Sequence, residues 1–215
     1  AVSPDGKSAV FSVTEPAYNP DEQRSDLWIV PTDGSAEPRR LTFTKGGESS
    51  PAWSPDSRRL AFITKRDDDK VNQIYVLDVA AGGEAVRVTS AYAGAGFPAW
   101  RPDGNALLFT SPVYPNAATD ADNRRIGDER EKRKFNVRTF DTFPVRRWDR
   151  WVDDRQLHVF VQELGNGATA TDVLAGTRLA RDSGFGARAL DSGDQLDAVW
   201  TPDGAAIVFA ATTAR

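Results

Sequence analysis

The sequence lacks cysteine and methionine and contains one histidine, His158, among its 215 residues. The absence of cysteine excludes disulfides, thiol nucleophiles and cysteine-ligated zinc sites. A single histidine allows at most one imidazole-dependent chemistry. No apolar run approaches the roughly 20 residues that a membrane-crossing helix requires. We therefore expect no metal, no cofactor and no membrane among the partners of this chain.

Basic residues are outnumbered by acidic ones, with 27 Lys and Arg against 31 Asp and Glu and a net charge of −4. Binding to a phosphate backbone needs a concentrated basic surface, so nucleic acid is not an expected partner. The sequence has no Gly-x-Ser-x-Gly, no phosphate-binding loop and no His-rich metal motif. The chain alone is therefore not expected to be an enzyme. The missing initiator methionine and an opening inside a repeat favour a fragment of a longer protein.

A turn motif, Pro-Asp followed by Gly or Ser, occurs four times. The motif begins at Pro4, Pro55, Pro102 and Pro202. A Phe follows each proline at the same offset, at Phe11, Phe62, Phe109 and Phe209. A Trp precedes three of the prolines at a fixed offset, at Trp53, Trp100 and Trp200. Pro presets a tight turn, Asp favours it, and Gly accepts the left-handed residue that closes it. Each motif therefore predicts a hairpin between two short strands.

Further apolar strands follow each predicted hairpin. Third strands are expected at 27–30, 74–77 and 157–160, and fourth strands at 39–42 and 86–89. Four strands in a unit of about 50 residues are typical of a β-propeller blade. The sequence thus predicts an all-β fold, a partial β-propeller of four-stranded antiparallel blades, with about three blades and an incomplete fourth.

The repeat spacing divides the chain into four parts of a single partial propeller. The expected division is an incomplete blade at 1–43, a blade at 44–91, a blade at 92–190 with an insertion at 112–154, and an incomplete blade at 191–215. The alternative to the insertion is an extra blade within this third part, one that lacks the turn motif. An arc of this kind has open edges, which offer a route to self-association.

The predicted turns share one face of the propeller, and the long loops near 14–25, 65–72 and 112–155 share the other. Variable loops on a rigid scaffold commonly carry binding. Residues 143–154 of the insertion combine two Trp with many charges. One interpretation is a lip that stacks on a peptide and holds its amine with Asp149 or Asp153. The other is a loop pinned by its own Trp side chains, with solvated charges.

Other polar residues have structural interpretations. His158 aligns with aromatic positions of the earlier third strands, which predicts a packed residue without a catalytic role. The aspartates Asp67, Asp68 and Asp69 are expected to stay solvated, because calcium loops need alternating ligands and a glycine at the turn. The charge run 128–134 is expected to form an exposed stretch.

The repeats resemble a known family of propellers. The units 52–57, 99–104 and 199–204, together with 26–30 followed by 37–42, resemble the PD40 or TolB-like repeat. The opening 2–7 and the stretch 146–151 leading into 157–161 resemble the N-terminal propeller of prolyl-oligopeptidase-family (S9) serine peptidases. Among these, the acylaminoacyl-peptidase and dipeptidyl-peptidase-5-like members are the most similar in pattern.

The resemblance implies a function for the chain. In that family the catalytic triad lies on an α/β-hydrolase domain, mostly C-terminal to the propeller, and no position here matches the triad. The propeller caps the active site and restricts entry to short peptides. The implied partners are a short peptide substrate and the C-terminal α/β-hydrolase domain of the parent chain. The implied substrate contacts are Arg147, Trp148, Asp149 and Trp151.

The same repeats leave other functions open. A TolB-like propeller that binds protein without an associated enzyme is the main alternative. A metal-dependent propeller lactonase is less consistent with the residues, because one histidine and no clustered acidic ligands offer little to hold a metal. The compartment, bacterial periplasm or cytoplasm, stays undetermined by the sequence.

Overall fold

The computed structural model describes residues 1–16, 24–135, 137, 146–147, 150–151, 154–165, 167–182, 185, 196–211 and 213. The described residues form short antiparallel sheets and one helix. This arrangement confirms the expected fold class, a partial all-β propeller. No helix among the described residues is long and apolar enough to span a bilayer.

The first sheet contains three strands in the order β1-β2-β3. Their bounds are β1 (Ser8–Glu15), β2 (Arg24–Pro31) and β3 (Arg39–Arg40). Val2 adds an isolated bridge to Ala9, on the side of β1 away from β2. The backbone before the first turn therefore occupies the place of an innermost strand.

The second sheet contains four strands in the order β4-β5-β6-β7. Their bounds are β4 (Glu48–Trp53), β5 (Arg59–Thr64), β6 (Gln73–Asp78) and β7 (Val86–Arg87). All residues of β5 after Arg59 are buried. Because side chains alternate between the two faces of a strand, β5 is buried on both faces. Leu60 and Phe62 pack with the first sheet, and Ala61 packs with the third. The second sheet therefore lies between its two neighbours, as blades do.

The third sheet contains four strands in the order β8-β9-β12-β13. Their bounds are β8 (Gly96–Trp100), β9 (Ala106–Val113), β12 (Gln156–Glu163) and β13 (Thr171–Asp172). Phe109 and Phe160 are register partners on β9 and β12, and their rings stack with centroids 5.2 Å apart. The whole length of β9 pairs with β12, although residues 114–155 separate the two strands in sequence.

The remaining elements are short. Between β9 and β12 lie α1 (Asp120–Glu131), β10 (Arg146–Arg147) and β11 (Arg150–Trp151), and the last hairpin is β14 (Val199–Trp200) with β15 (Ile207–Val208). The helix was not expected from the sequence. Part of the charge run 128–134 belongs to α1, and its side chains are mostly exposed, as expected. The blade boundaries and the limits of the insertion stay predictions.

Candidate functional site

The aspartates of the four repeated turns have a structural role. Each carboxylate accepts a hydrogen bond from the backbone N–H two residues later, in the pairs Asp5–Lys7, Asp56–Arg58, Asp103–Asn105 and Asp203–Ala205. The residue before each proline also donates to the same carboxylate, from Ser3, Ser54, Arg101 and Thr201. These bonds lower the pKa of all four carboxyls, and Arg101 lowers the pKa of Asp103 to about 2. Turn geometry accounts for these aspartates, as the sequence predicts.

Neighbouring turns also contact one another. The backbone N–H of Asp5 donates to the Ser57 hydroxyl over 3.0 Å. Arg59 Nη2 donates to the carbonyl oxygen of Gly104 over 2.8 Å. Ser57 has the left-handed φ of 59° that glycine adopts at the other turns. The turns therefore lie side by side on one rim, and this rim is occupied by structural contacts.

The insertion is fixed to the third sheet by a buried amide. Asn123 of α1 donates from Nδ2 to the carbonyl oxygen of Pro112, and its Oδ1 accepts from the N–H of Tyr114, each over 2.9 Å. Asp120, at the start of α1, accepts from the N–H of Tyr92 over 3.0 Å. Gly127 packs against the Tyr92 ring, where a Cβ would lie 2.0 Å from the hydroxyl oxygen. The base of the insertion is therefore a packed structure.

An ion pair joins the end of α1 to the chain after β11. Arg130 binds both carboxylate oxygens of Asp154, over 2.9 and 2.6 Å. The Arg130 guanidinium also lies 4.4 Å from the ring centroid of Tyr114, and that of Arg155 lies 5.5 Å from it. Bidentate pairing fixes direction as well as distance. These contacts hold Asp154 and Arg155, which precede β12, close to the end of the helix and to Tyr114.

Two of the predicted substrate contacts, Arg147 and Trp151, lie on the paired strands β10 and β11. Arg147 pairs in register with Arg150, and Trp151 pairs with Arg146. The Trp151 side chain is 53% exposed, which is unusual for so large an apolar group. Trp148 and Asp149 lie outside the described residues, as does Asp153. Contact between a substrate and any of these residues stays a prediction.

His158 is buried, as the sequence predicts, but it has a partner that the sequence did not indicate. Its Nδ1 lies 2.7 Å from Oδ2 of Asp172 on β13. Ser111 is its register partner on β9, is also buried, and has no hydrogen-bond partner for its hydroxyl among the described residues. The three side chains are 1 to 9% exposed, so a peptide cannot reach them. The arrangement is a core polar cluster.

The expectation of three solvated aspartates is wrong for Asp69. Its side chain is 6% exposed and forms an ion pair of 2.9 Å with Arg87. It also accepts a hydrogen bond of 2.8 Å from the Tyr75 hydroxyl. Burial and this carboxylate raise the pKa of Tyr75 to about 12. Among the described residues, no group of three or more His, Asp or Glu side chains is placed to hold a metal ion.

The helix α1, which anchors the insertion, was not predicted from the sequence, although the sequence contains signals for it. The helix has an N-cap at Thr119, whose hydroxyl accepts from the N–H of Asp122 over 3.1 Å. Arg125 and Glu129 form an i,i+4 ion pair of 3.1 Å. A capping residue followed by spaced opposite charges is a helix signal. This helix signal was overlooked because residues 120–131 include few apolar side chains and therefore show no apolar periodicity.

Solved structures share the fold. TolB from Acinetobacter baumannii matches with a TM-score of 0.53 and 20% identity, over 95% of this chain and 36% of that one. Acylaminoacyl peptidase from Pyrococcus horikoshii matches with a TM-score of 0.54 and 14% identity, over 78% of this chain and 24% of that one. At these identities the likeness establishes the propeller fold alone.

Comparison with curated protein sequences gives relatives with a named activity. Dipeptidyl-peptidase 5 of Porphyromonas endodontalis is 27% identical over 212 residues, which cover 98% of this chain and 28% of that protein. Dipeptidyl-peptidase 5 of Porphyromonas gingivalis is 39% identical over 64 residues, 30% of this chain and 9% of that protein. The chain is a propeller that resembles the S9 peptidases.

The resemblance inferred from the repeats is thereby confirmed. No protein-family model matches the chain. The propeller spans little more than a quarter of the length of the Porphyromonas endodontalis relative, and less of the other. The activity of those whole proteins is therefore not assigned to this propeller by the similarity itself.

Proposed function

We propose that this propeller gates substrate access to the α/β-hydrolase domain of an S9-type serine exopeptidase and helps to bind its short peptide substrates. The observation that carries the proposal is the similarity to dipeptidyl-peptidase 5 along 98% of the chain. The reaction itself, attack by an activated serine, belongs to the hydrolase domain. The propeller acts by admitting and orienting peptides.

The geometry of the loop rim supports a binding role. The turn rim is occupied by repeated structural contacts between neighbouring turns. The other rim carries a helix-anchored hairpin with an exposed Trp151. A rigid base with an exposed aromatic side chain suits recognition, because little conformational entropy is lost when a ligand stacks on it. Arg147, Trp148, Asp149 and Trp151 are the proposed substrate contacts.

The alternative is a TolB-like propeller that binds protein and has no associated enzyme. The shared fold with TolB keeps it as a candidate. Sequencing the coding region beyond residue 215 separates the two. The peptidase proposal expects the reading frame to continue into an α/β-hydrolase domain with a Gly-x-Ser-x-Gly nucleophile motif. A frame that ends after a few more blades would exclude it.

The hairpin is tested in the full-length peptidase. The variant Trp151→Ala should change the ratio of kcat/KM values between short and long peptides and leave the thermal midpoint nearly unchanged. Phe43→Ala is the matched control, because Phe43 is a 71% exposed aromatic residue that follows the outer strand β3 of the first sheet. Equal ratios for both variants would remove the hairpin from the proposed gate.

A further inference from the structure

A polar pocket lies between the first and second sheets, at the rim opposite the repeated turns. It has a volume of about 330 Å³. The end of β1 and the start of β2 border one side of the pocket. The start of β4, together with the two glycines before it, borders the other side. The pocket shares no residue with the hairpin formed by β10 and β11.

The two glycines bring backbone close to both neighbouring sheets. A Cβ on Gly46 would lie 1.8 Å from the carbonyl oxygen of Lys65, which follows β5. Gly47 has a left-handed φ of 70°, and a Cβ there would lie 3.5 Å from the backbone nitrogen of Ser25 on β2. The N–H groups of both glycines have no acceptor among the described residues. The turn therefore leaves two backbone donors at the border of the pocket.

Five lining residues have polar side chains that form no hydrogen bond or ion pair with any residue that the structure describes. They are Thr14, Arg24, Ser25, Ser49 and Asn72. Hydroxyls and carboxamides can both donate and accept, whereas a guanidinium can only donate. Together with the two glycines, the pocket therefore offers hydrogen-bond donors on both of its sides. Their common complement is a group with several acceptor oxygens.

The charges at the pocket favour an anion. Among the described lining residues, Glu48 is the one acidic residue, and its charge is balanced. The Glu48 carboxylate is buried, lies 3.3 Å from Nη2 of Arg66, and accepts a hydrogen bond of 2.8 Å from the Thr42 hydroxyl. Arg24, by contrast, forms no ion pair among the described residues, not even with Glu15, its register partner on β1. The Arg24 guanidinium is therefore the unbalanced charge of the pocket.

The number and placement of the donors favour a phosphate group over a carboxylate. A guanidinium can bind two oxygens of a phosphate at once, through parallel hydrogen bonds. A phosphate group has three strongly accepting oxygens that point in different directions, whereas a carboxylate has two in one plane. The volume of about 330 Å³ is roughly ten times the 30 Å³ that a water molecule occupies in the liquid. The pocket therefore has room for a phosphate group and for a small polar body attached to it.

We propose that this pocket binds a phosphate group, either as the free ion or as part of a small polar phosphate ester. Arg24 pairs with the phosphate oxygens, and the hydroxyls of Ser25 and Ser49 donate to them from the two sides of the pocket. The inference goes beyond the proposed function and does not depend on it. A propeller with or without an associated hydrolase domain would contain the same site.

Calorimetric titration of the purified protein with inorganic phosphate tests the proposal. The ionic strength is held constant with sodium chloride, so that general screening does not change. We expect saturable binding at one site, at least about tenfold tighter than the binding of acetate. A parallel titration with glucose 6-phosphate identifies the source of the group, because tighter binding than that of inorganic phosphate assigns it to an ester and weaker binding assigns it to the free ion. Absence of saturable binding, or equal affinity for phosphate and acetate, would overturn the assignment.

Three variants locate the binding. Arg24→Gln should weaken phosphate binding at least about tenfold, whereas Arg58→Gln, with the same charge change at an exposed residue of the opposite rim, should leave it unchanged. Glu15→Gln should strengthen binding, because it removes the carboxylate from the residue paired with Arg24. In the unsubstituted protein, phosphate should shift the amide resonances of Gly46 and Gly47. Unchanged affinity in both Arg24→Gln and Glu15→Gln would exclude this pocket as the site.

Discussion

The indole Nε1–H of Trp100 donates a hydrogen bond of 2.9 Å to the carbonyl oxygen of Ala52, one residue before Trp53 in the preceding sheet. Two equivalent bonds join Trp53 to Ala1 and Trp200 to Ala99, each over 3.3 Å. Every repeated Trp thus links its inner strand to the previous one. The sequence period of the Trp residues corresponds to the step from one blade to the next.

The variant Trp100→Ala should lower the free energy of unfolding by about 3–5 kcal/mol, as large truncations of buried aromatic residues do. Trp100 is 8% exposed, and its ring also contacts the Arg59 guanidinium. Trp53→Ala should cost less, because the Trp53 side chain is only partly buried. Denaturant titration of the two variants measures the difference.

Trp151→Ala is the control for these truncations. Trp151 is more than half exposed, so its loss should lower the free energy of unfolding by less than the loss of the buried Trp100 does. A midpoint that falls equally for Trp53→Ala, Trp100→Ala and Trp151→Ala would contradict the division between blade interface and loop rim.

The blades could be predicted because their signals are local. A turn motif, alternating apolar residues and a repeated Trp occur within a few residues of one another. The helix α1 could not, because its buried residues are Asn123 and Gly127, which give no apolar periodicity. The pairing of His158 with Asp172 depends on the register between strands, and the bulges in β4 and β8 depend on backbone geometry that non-glycine residues do not reveal.

Gly127→Ala should destabilise the insertion although alanine favours helix formation by about 1 kcal/mol. The new Cβ would lie 2.0 Å from the Tyr92 hydroxyl oxygen and 2.6 Å from its Cζ. Overpacking of this kind costs about 1–3 kcal/mol, which exceeds the helix propensity gained. Faster amide hydrogen exchange in α1 would report the loss. In a Tyr92→Ala background the same substitution should slow exchange, and a stabilised single variant would refute the contact.

Tyr75 should make stability decline at high pH. Burial, and then the hydrogen bond to Asp69, raise its pKa from 10.0 to about 12 in the folded protein. The neutral phenol is therefore favoured by folding, and its contribution is complete below pH 10 and is lost as the pH rises towards 12. Ultraviolet titration should show a late phenolate step that Tyr75→Phe removes. A Tyr75→Phe variant with an unchanged late step would assign it to another tyrosine.

Removal of the Glu48 carboxylate should lower the free energy of unfolding more than most single substitutions do. Its carboxylate is fully buried, lies 3.3 Å from Arg66 Nη2, and accepts hydrogen bonds from the hydroxyls of Thr42 and Thr44. Glu48→Leu leaves the Arg66 guanidinium, 11% exposed, without this carboxylate, and breaking a buried pair in this way costs about 3–5 kcal/mol. Adding Arg66→Met should recover part of the loss, because neither charge of this pair then remains buried. A double variant as unstable as the sum of the single variants would show that the two side chains act independently.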